Sequence, residues 1–509
     1  MPIRITGLNS GLDTEQIISA LVSSYNYKTQ KYKKAQTKLS WKQDAWKDLN
    51  TKIYSLYTSV GNLRFSKAYN LKSASVSDAT KVSVTASTGA VNGAYSIQVT
   101  SLAKAGYLTG GKLKKADQTD TTAVTSATTL GELAGENANV DGKISIGGKE
   151  IMVTKDTKIS EVISGLQSAG VNASFDEKNG RIFVSAKKAG ESNDFTLEGA
   201  DAAGTAALEA LGLVEDPNAE LGMGATRIEG SNAVIYVNGA KYENDSNSFS
   251  INGLTINALA VTGETYDESK AVNATVGTDT QGIYDKIKDF LSQYNSIINE
   301  MASLYNADSA KGYEPLTDEE KDAMSDTEVE KWEAKIKDSL LRRDDTLSSI
   351  MSSMTSAMSQ GVSVGGETLY LSNFGIMTLG YMNAPKNEHY AYHIDGDEDD
   401  VNTSGNTDKL MAAIAEDPDK VMEFMQGLAQ NLYSAVDSKM KSTSLSSVYT
   451  VYNDKEMASE YSDYTSLITK WQERLEQQEE YYYKKFSAME TALSKLNSQT
   501  SSMAGFFGR

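Results

Sequence analysis

The sequence contains no cysteine, only two histidines and only five prolines in 509 residues. Without cysteine it can form no disulfide, hold no metal through thiolates and use no cysteine nucleophile. His389 and His393 are the sole imidazoles, so triad chemistry has little to work with, and no nucleophile elbow of the G-x-S-x-G kind is expected. P-loop and dinucleotide fingerprints are missing as well. No apolar run approaches the roughly 18 residues of a membrane-spanning helix. Met1–Ser10 lacks the apolar centre of a cleavable signal peptide, so secretion would need another route. Carboxylates are plentiful and leave a paired-acid hydrolase open, although the run from Glu314 to Glu330 has the spacing of a charged helix surface. The expectation is a chain with no enzymatic activity, no cofactor, no metal and no membrane insertion.

Charge of one sign is also scarce in places. The net charge is −19, yet residues 1–72 carry twelve Lys and Arg against four Asp and Glu, a net of +8, which leaves −27 on the other 437 residues. An acidic bulk argues against nucleic acid as a partner. The basic stretch carries a coiled-coil seam, so its charges fit a solvated or partner-facing flank better than a nucleic-acid arm. Composition is otherwise globular, 39% hydrophobic and 23% charged. The length suggests roughly three or four domains.

Glycine and proline are absent from Thr14 to Leu63 except for Gly61. A 3-4 spacing runs through that stretch: Ile18, Leu21, Tyr25, Lys28, Tyr32, Ala35, Leu39, Lys42, Trp46, Leu49, Ile53, Leu56, Val60 and Leu63. Only the two lysines are neither apolar nor aromatic, and the period is that of a coiled-coil seam. Asp13, with Gln16 three residues on, is placed to cap the helix. At 1.5 Å per residue the seam would reach roughly 70 Å and needs a partner. Leu428–Ala504, again free of Gly and Pro, offers one through Tyr464, Ile468, Trp471, Leu475, Gln478, Tyr482, Lys485, Met489, Ala492, Leu496, Gln499 and Met503. The first helix carries Lys28, Lys31, Lys33, Lys34 and Lys38 and the last Glu473, Glu476, Glu479 and Glu480, and opposite charges flanking two seams favour pairing of the helices. The termini are therefore expected to meet in one bundle; pairing of either helix with a second copy stays open.

Between the ends the period changes. Lys72–Thr100 alternates as short strands, and KISIGGKEIMV (143–153) reads as a hairpin turning at Gly147–Gly148. Ile159–Leu166 and Ala202–Leu213 read as helices, and RIFVSA (181–186) as a strand. Residues 232–276 return to strands with turns at Asn238–Gly239 and Asn252–Gly253. Helix resumes at Ile283; Thr317 and Glu320 match a capping box, and one long amphipathic pattern follows through Trp332, Ile336, Leu341, Leu347 and Met358. A strand-like pair falls at about 367–394, and further helices at Leu410–Ile414 and Val421–Met440. Leu445–Tyr452 reads as a loop or hairpin. His389 and His393 stand on one face of an expected strand, before Asp395, Asp397, Glu398, Asp399 and Asp400. The acidic run begins like a calcium loop but has Asp400 at position six and Asn406 at position twelve, so the EF-hand match fails.

The fold class that follows is α+β multidomain: discontinuous terminal α-helical coiled-coil and bundle domains with two inserted β-rich domains. The expected boundaries are 1–40 with 470–509 for a terminal coiled coil, and 41–72 with 277–469 for a helical bundle carrying a small hairpin. Residues 73–104 with 228–276 form a β-rich domain, and 105–227 an inserted outer α/β domain. The candidate assembly and coiled-coil contacts are Ile5, Leu8, Leu12, Ile17, Leu21, Leu39, Trp46, Leu49, Ile53 and Leu56 at the front, and Trp471, Leu475, Tyr482, Phe486, Met489, Leu493 and Leu496 at the back. In the isolated chain roughly 1–40 and 470–509 are expected to be mobile, because a lone helix pair buries one face only.

Several of these stretches resemble one family. GLNSGLDTEQIISALVSSY near the start, residues 314–354, DKLMAAIAEDPDKVMEFM (408–425) and KKFSAMETALSKLNSQTSSM (484–503) are similar to the bacterial flagellar hook-associated protein 2, the filament cap family. The resemblance implies flagellin-like terminal helices and a homo-oligomer, usually of five copies, at the extracellular filament tip. It implies flagellin, hook–filament junction proteins, the flagellar export apparatus and an export chaperone as partners. It further implies export by the flagellar type III route without a cleaved signal, and folding and insertion of flagellin beneath the cap. A filament or junction subunit, and an adhesin acting through the outer domains, are the alternatives.

Overall fold

The computed structural model describes residues 11–216, 219–220 and 222–507. They divide into two compact units, Met1–Tyr69 with Thr280–Arg509, and Asn70–Asp279. The fold is α+β, and both ends of the chain belong to the first unit.

Helix α1 spans Thr14–Leu63, and Asp13 caps it by accepting the Gln16 N–H at 3.0 Å. From Leu39 onward the 3-4 seam is the buried face: Leu39, Trp46, Leu49, Ile53, Leu56, Val60 and Leu63 are at most 9% exposed. Nearer the N-terminus the buried frame shifts. Ile18, Val22 and Thr29 are buried, whereas Leu21 and Lys28 of the expected seam are exposed. The spacing 18, 22, 25, 29 still alternates four and three, so the heptad is kept while every second seam position moves on by one residue, from Leu21 and Lys28 to Val22 and Thr29.

The second unit holds two separate apolar cores. One lies between a five-stranded antiparallel sheet and a three-stranded one. The first has the order Lys72–Val76, Val272–Thr278, Gly93–Ser101, Ala233–Val237, Ala240–Asn244; the second Ser248–Ile251, Leu254–Ala258, Val82–Ala86. Alternation sets the faces: Ala233, Ile235 and Val237 point inward while the edge strand Ala240–Asn244 is mostly exposed. Asn238 (φ 49°) and Gly239 (φ 84°) make the turn between them, two consecutive left-handed residues as a two-residue hairpin of this hand requires. Asn252 and Gly253 do the same for the next hairpin. The other core is formed by residues of 108–213, with helices α2 (Leu130–Ala134), α3 (Ile159–Ala169) and α4 (Ala202–Ala210) on small antiparallel sheets. The hairpin Gly142–Ile146/Lys149–Val153 turns on Gly147 and Gly148, both left-handed.

Back in the first unit, α5 (Thr280–Tyr305) buries Ile283, Ile287, Phe290, Tyr294, Ile298 and Met301 along one stripe. Helix α6 (Asp318–Asp322) opens with the Thr317–Glu320 capping box, and α7 (Asp326–Asp338) with a second one, Ser325–Glu328. The long amphipathic pattern is then interrupted. Arg343 takes φ 54°, and Asp344 caps a new helix, α8 (Asp345–Ser359), by accepting the N–H groups of Thr346 and Leu347. The expected strand pair at 367–394 resolves into two smaller ones: Val362–Val364 with Glu367–Leu369, and Ile376–Met377 with His393–Ile394. His389 therefore lies in a turn before the strand, not on it. Helices α9 (Lys409–Glu416), α10 (Pro418–Met440) and α11 (Asp454–Phe507) complete the unit, with 441–453 as the loop between the last two.

Candidate functional site

Helices α1 and α11 form the most extensive helix pair among the described residues. They run antiparallel: the Tyr25 and Trp471 rings lie 6.2 Å apart, those of Tyr32 and Tyr464 6.4 Å, and those of Trp46 and Tyr452, just before α11, stack at 5.4 Å. Stepping back seven residues on one helix advances seven on the other, one heptad on each. Polar groups fix the register between the rings. Gln36 Nε2 donates to Thr465 Oγ1 at 2.7 Å and to the Tyr461 carbonyl at 3.3 Å, and Lys28 Nζ sits 4.2 Å above the Trp471 ring. At the loop, Asn50 donates to the Tyr449 carbonyl and accepts from the Val451 N–H.

The two halves of α1 have different neighbours. Its second half also packs on other helices: Tyr57 hydrogen-bonds Tyr433 and Asp437 of α10, Lys52 pairs with Glu300 of α5, and Lys337 of α7 lies over the Trp41 ring. Tyr57 donates its single O–H proton to Asp437 Oδ1 at 2.9 Å and shares a 2.6 Å O···O hydrogen bond with Tyr433; the Tyr433 bond, then burial and Asp437, push its phenol far above the usual range. The first half has α11 along one side and, near Tyr27, Lys31, Lys34 and Lys38, an open groove of about 620 Å³ shared with Tyr313, Pro315 and Glu320.

The two helices with opposite flanking charges do pair, and α1 is also tied by ion pairs to the rest of its unit. Three ion pairs of α1 run to segments inserted between the ends: Lys34 to Glu320 at 2.8 Å, Lys42 to Asp344 at 2.9 Å and Lys52 to Glu300 at 2.6 Å. The Lys34 ammonium, with the Thr317 N–H, holds the Glu320 carboxyl below its ordinary value. Thus the basic flank ties α1 into its own bundle.

The candidate contact residues separate by burial. Leu39, Trp46, Leu49, Ile53 and Leu56 are core of this chain's own fold, with no surface left for a second molecule. Ile17, Trp471, Leu475, Tyr482, Phe486, Met489 and Leu493 are half-buried. Leu12, Leu21 and Leu496 are exposed, at 46%, 45% and 61%. Ile5 and Leu8 lie outside the described residues. Past Tyr482 the half-covered positions become Phe486, Met489 and Leu493, whereas Lys485 and Ala492 of the expected seam face solvent. Val22, Thr29, Tyr57 and Tyr433 contribute to the pair and its base without having been singled out; a frame stepping four and then three from Ile18 would have found the first two.

The remaining chemical candidates take structural roles. The letters G-x-S-x-G do occur, at Gly361–Gly365, contrary to the expectation from sequence, but Ser363 is an exposed residue in mid-strand of a small hairpin. A nucleophile elbow needs a strand-to-helix turn. In the acidic run, Lys288 Nζ lies 2.6 Å from both Asp397 Oδ1 and Asp399 Oδ2. That ammonium holds the Asp399 carboxyl low, and the Lys288 ammonium is itself stabilised by the pair. Burial pushes Asp400 up, but hydrogen bonds from His393 and Asn402 outweigh it and leave the carboxyl below its usual range. No group of three or more His, Cys, Asp or Glu able to hold a metal is found among the described residues, and no described helix is long and apolar enough to cross a membrane.

A chain whose two ends pair as long helices, with β-rich material inserted between them, has the layout of an α+β assembly subunit. The C-terminal model of the flagellar hook-associated protein 2 family matches residues 230–498, and its N-terminal model residues 10–106. The chain belongs to the flagellar hook-associated protein 2 family. A flagellar hook-associated protein 2 of Halalkalibacterium halodurans is 24% identical over 566 aligned positions that cover 99% of this chain and 100% of that protein. One from Thermotoga maritima is 28% identical over 411, covering 77% of this chain and 59% of the relative. Among solved structures, the D1-D2-D3 domains of the flagellar cap protein of Escherichia coli share 22% identity, cover 78% of this chain and 96% of theirs, and give a TM-score of 0.48.

Proposed function

We propose that this chain caps the tip of the bacterial flagellar filament and promotes the folding and insertion of flagellin subunits arriving beneath it. The observation that carries the reading is the family match at both ends of the chain, where the paired helices lie. In this reading the chain works as an extracellular homo-oligomer, of five copies by family resemblance, and performs no catalysis. Its partners are flagellin, the hook–filament junction proteins, and, during export by the flagellar type III route, the export apparatus and a chaperone. The half-buried distal turns of α1 and α11 are the surfaces that neighbouring subunits would cover. The outer residues 105–227 form an insert on a β-rich domain made by 73–104 and 228–276, and adhesion through that insert would coexist with capping.

Deletion of the gene tests the reading. The expected result is loss of filaments with monomeric flagellin released into the medium. Normal filaments in the deletion strain would reject it. A chain with 105–227 replaced by a short linker should keep a cooperative melt; aggregation of that variant would reject the insert boundaries.

A further inference from the structure

Arg343 and Lys386 line one cavity of about 580 Å³, and neither forms an ion pair among the described residues. The cavity is bounded by the end of α5 (Tyr305, Asn306), the α7–α8 connection (Arg343), one face of α8 (Ser348, Ser352, Thr355) and the loop 381–390. No carboxylate lines it, although the neighbouring hollow, which shares Lys386, includes Asp308 and Asp338. Both residues are exposed, and in a chain of net charge −19 their shared cavity offers them no carboxylate.

The backbone around the cavity is specially shaped. Arg343 (φ 54°) and Asn387 (φ 72°) both adopt the left-handed conformation, which L side chains rarely take. Such conformations gather at ligand clamps and active sites, held by their surroundings. Here the Arg343 N–H donates to the Tyr305 carbonyl at 3.1 Å, and Asn306 Nδ2 donates to Asn387 Oδ1 at 3.1 Å. The Arg343 guanidinium rests over the Tyr305 ring, 4.9 Å from its centre, so a ring and not a carboxylate steadies it. His389 stacks on Tyr381 at 4.5 Å, and its Nδ1 is enclosed with no hydrogen-bond partner.

We propose that this cavity is a binding site for a compact oxyanion, taken up by Arg343 and Lys386 with the hydroxyls of Ser348 and Ser352. A guanidinium fork matches a carboxylate or a tetrahedral oxyanion through two parallel hydrogen bonds, and an ammonium adds a point charge. The anion is either the carboxylate of an acidic side chain on an adjoining protein subunit or a free ion of the sulfate or phosphate type. The site stands apart from the α1–α11 pair and does not depend on the capping reading.

The two histidines make the test specific. In full-length protein labelled with 13C at histidine Cε1, His389 reports the cavity and His393, paired with Asp400, serves as the internal control. Sodium sulfate, titrated against sodium chloride at matched ionic strength, should move the His389 signal to saturation and leave His393 in place. Screening alone would move neither selectively. Arg343→Gln and the surface variant Lys386→Gln should each weaken the response by about tenfold or more. A His389 shift that grows with protein concentration and is reversed by sulfate assigns the anion to a neighbouring subunit; independence of protein concentration assigns it to a free ion. A His389 signal that ignores sulfate, or a folded Lys386→Gln protein that responds like wild type, overturns the proposal.

Discussion

The two halves of α1 share a sequence pattern and differ in fate. Residues 39–63 carry the 3-4 seam into a site walled by α5, α7, α10 and α11, and the apolar side chains of the seam, Leu39 to Leu63, are at most 9% exposed. Residues 14–32 carry much the same pattern, yet Leu21 and Tyr27 stand 45% and 71% exposed. Helix propensity does not separate them; the number of neighbouring elements does. A seam states which face can be buried, and only the surrounding chain decides whether it is. The core half is therefore a folding element, while the outer half keeps apolar surface for whatever joins it later.

That contrast can be broken in four ways, in descending order of effect. Hydrogen exchange should report the largest difference: amides of 39–63 should open only with the whole bundle, and those of 14–30 and 482–503 by local fraying. The gap should be roughly 5 kcal/mol or more in the free protein and should shrink on assembly. Equal protection of both halves in a verified monomer would end the distinction. Next, Trp46→Ala, at a position 2% exposed, should cost about 3–5 kcal/mol in denaturant melts; a loss under 1 kcal/mol would show that the bundle does not depend on this side chain.

Smaller is the Lys34–Glu320 pair, whose side chains are 20% and 47% exposed. A double-mutant cycle should give about 0.2–1 kcal/mol, falling with added salt. Its pH sign follows from the depressed Glu320 carboxyl: the contribution is present above the ordinary value of 4.5 and is lost as pH falls through the lower folded value. A coupling that strengthens on acidification would contradict the assignment. Smallest should be Leu21→Ala and Leu496→Ala, each within about 0.5 kcal/mol of wild type in the free chain. Sedimentation should show both weakening self-association; unaltered assembly would mean that these exposed leucines are not contact positions.

Local chemistry was readable wherever one residue type enforces one geometry. The Asn-Gly pairs at 238 and 252 and the Gly-Gly pair at 147 are turns because each needs two left-handed residues in succession. Thr317 with Glu320, and Asp13 before α1, are caps because their side chains satisfy otherwise free N–H groups. Geometry imposed from a distance was not readable. Nothing in LLRRDD announces that Arg343 will break the amphipathic run, since an arginine there is held left-handed by the Tyr305 carbonyl, 38 positions earlier in the chain. The slip from Leu21 to Val22 is similar: both residues are apolar, and the helix pitch against α11 chooses between them.

Lys288 has a consequence for the acidic run. Asp397 and Asp399 converge on a cation that is built into the chain, delivered by α5 from 109 and 111 positions away in sequence. A tethered ammonium is present at a fixed effective concentration and cannot be washed out or chelated. The Asp397 carboxylate, 11% exposed, is the shielded arm of this pair, whereas Asp399, 85% exposed, is open to screening by salt. An external cation would therefore compete at Asp397 with a counter-charge that the chain itself supplies.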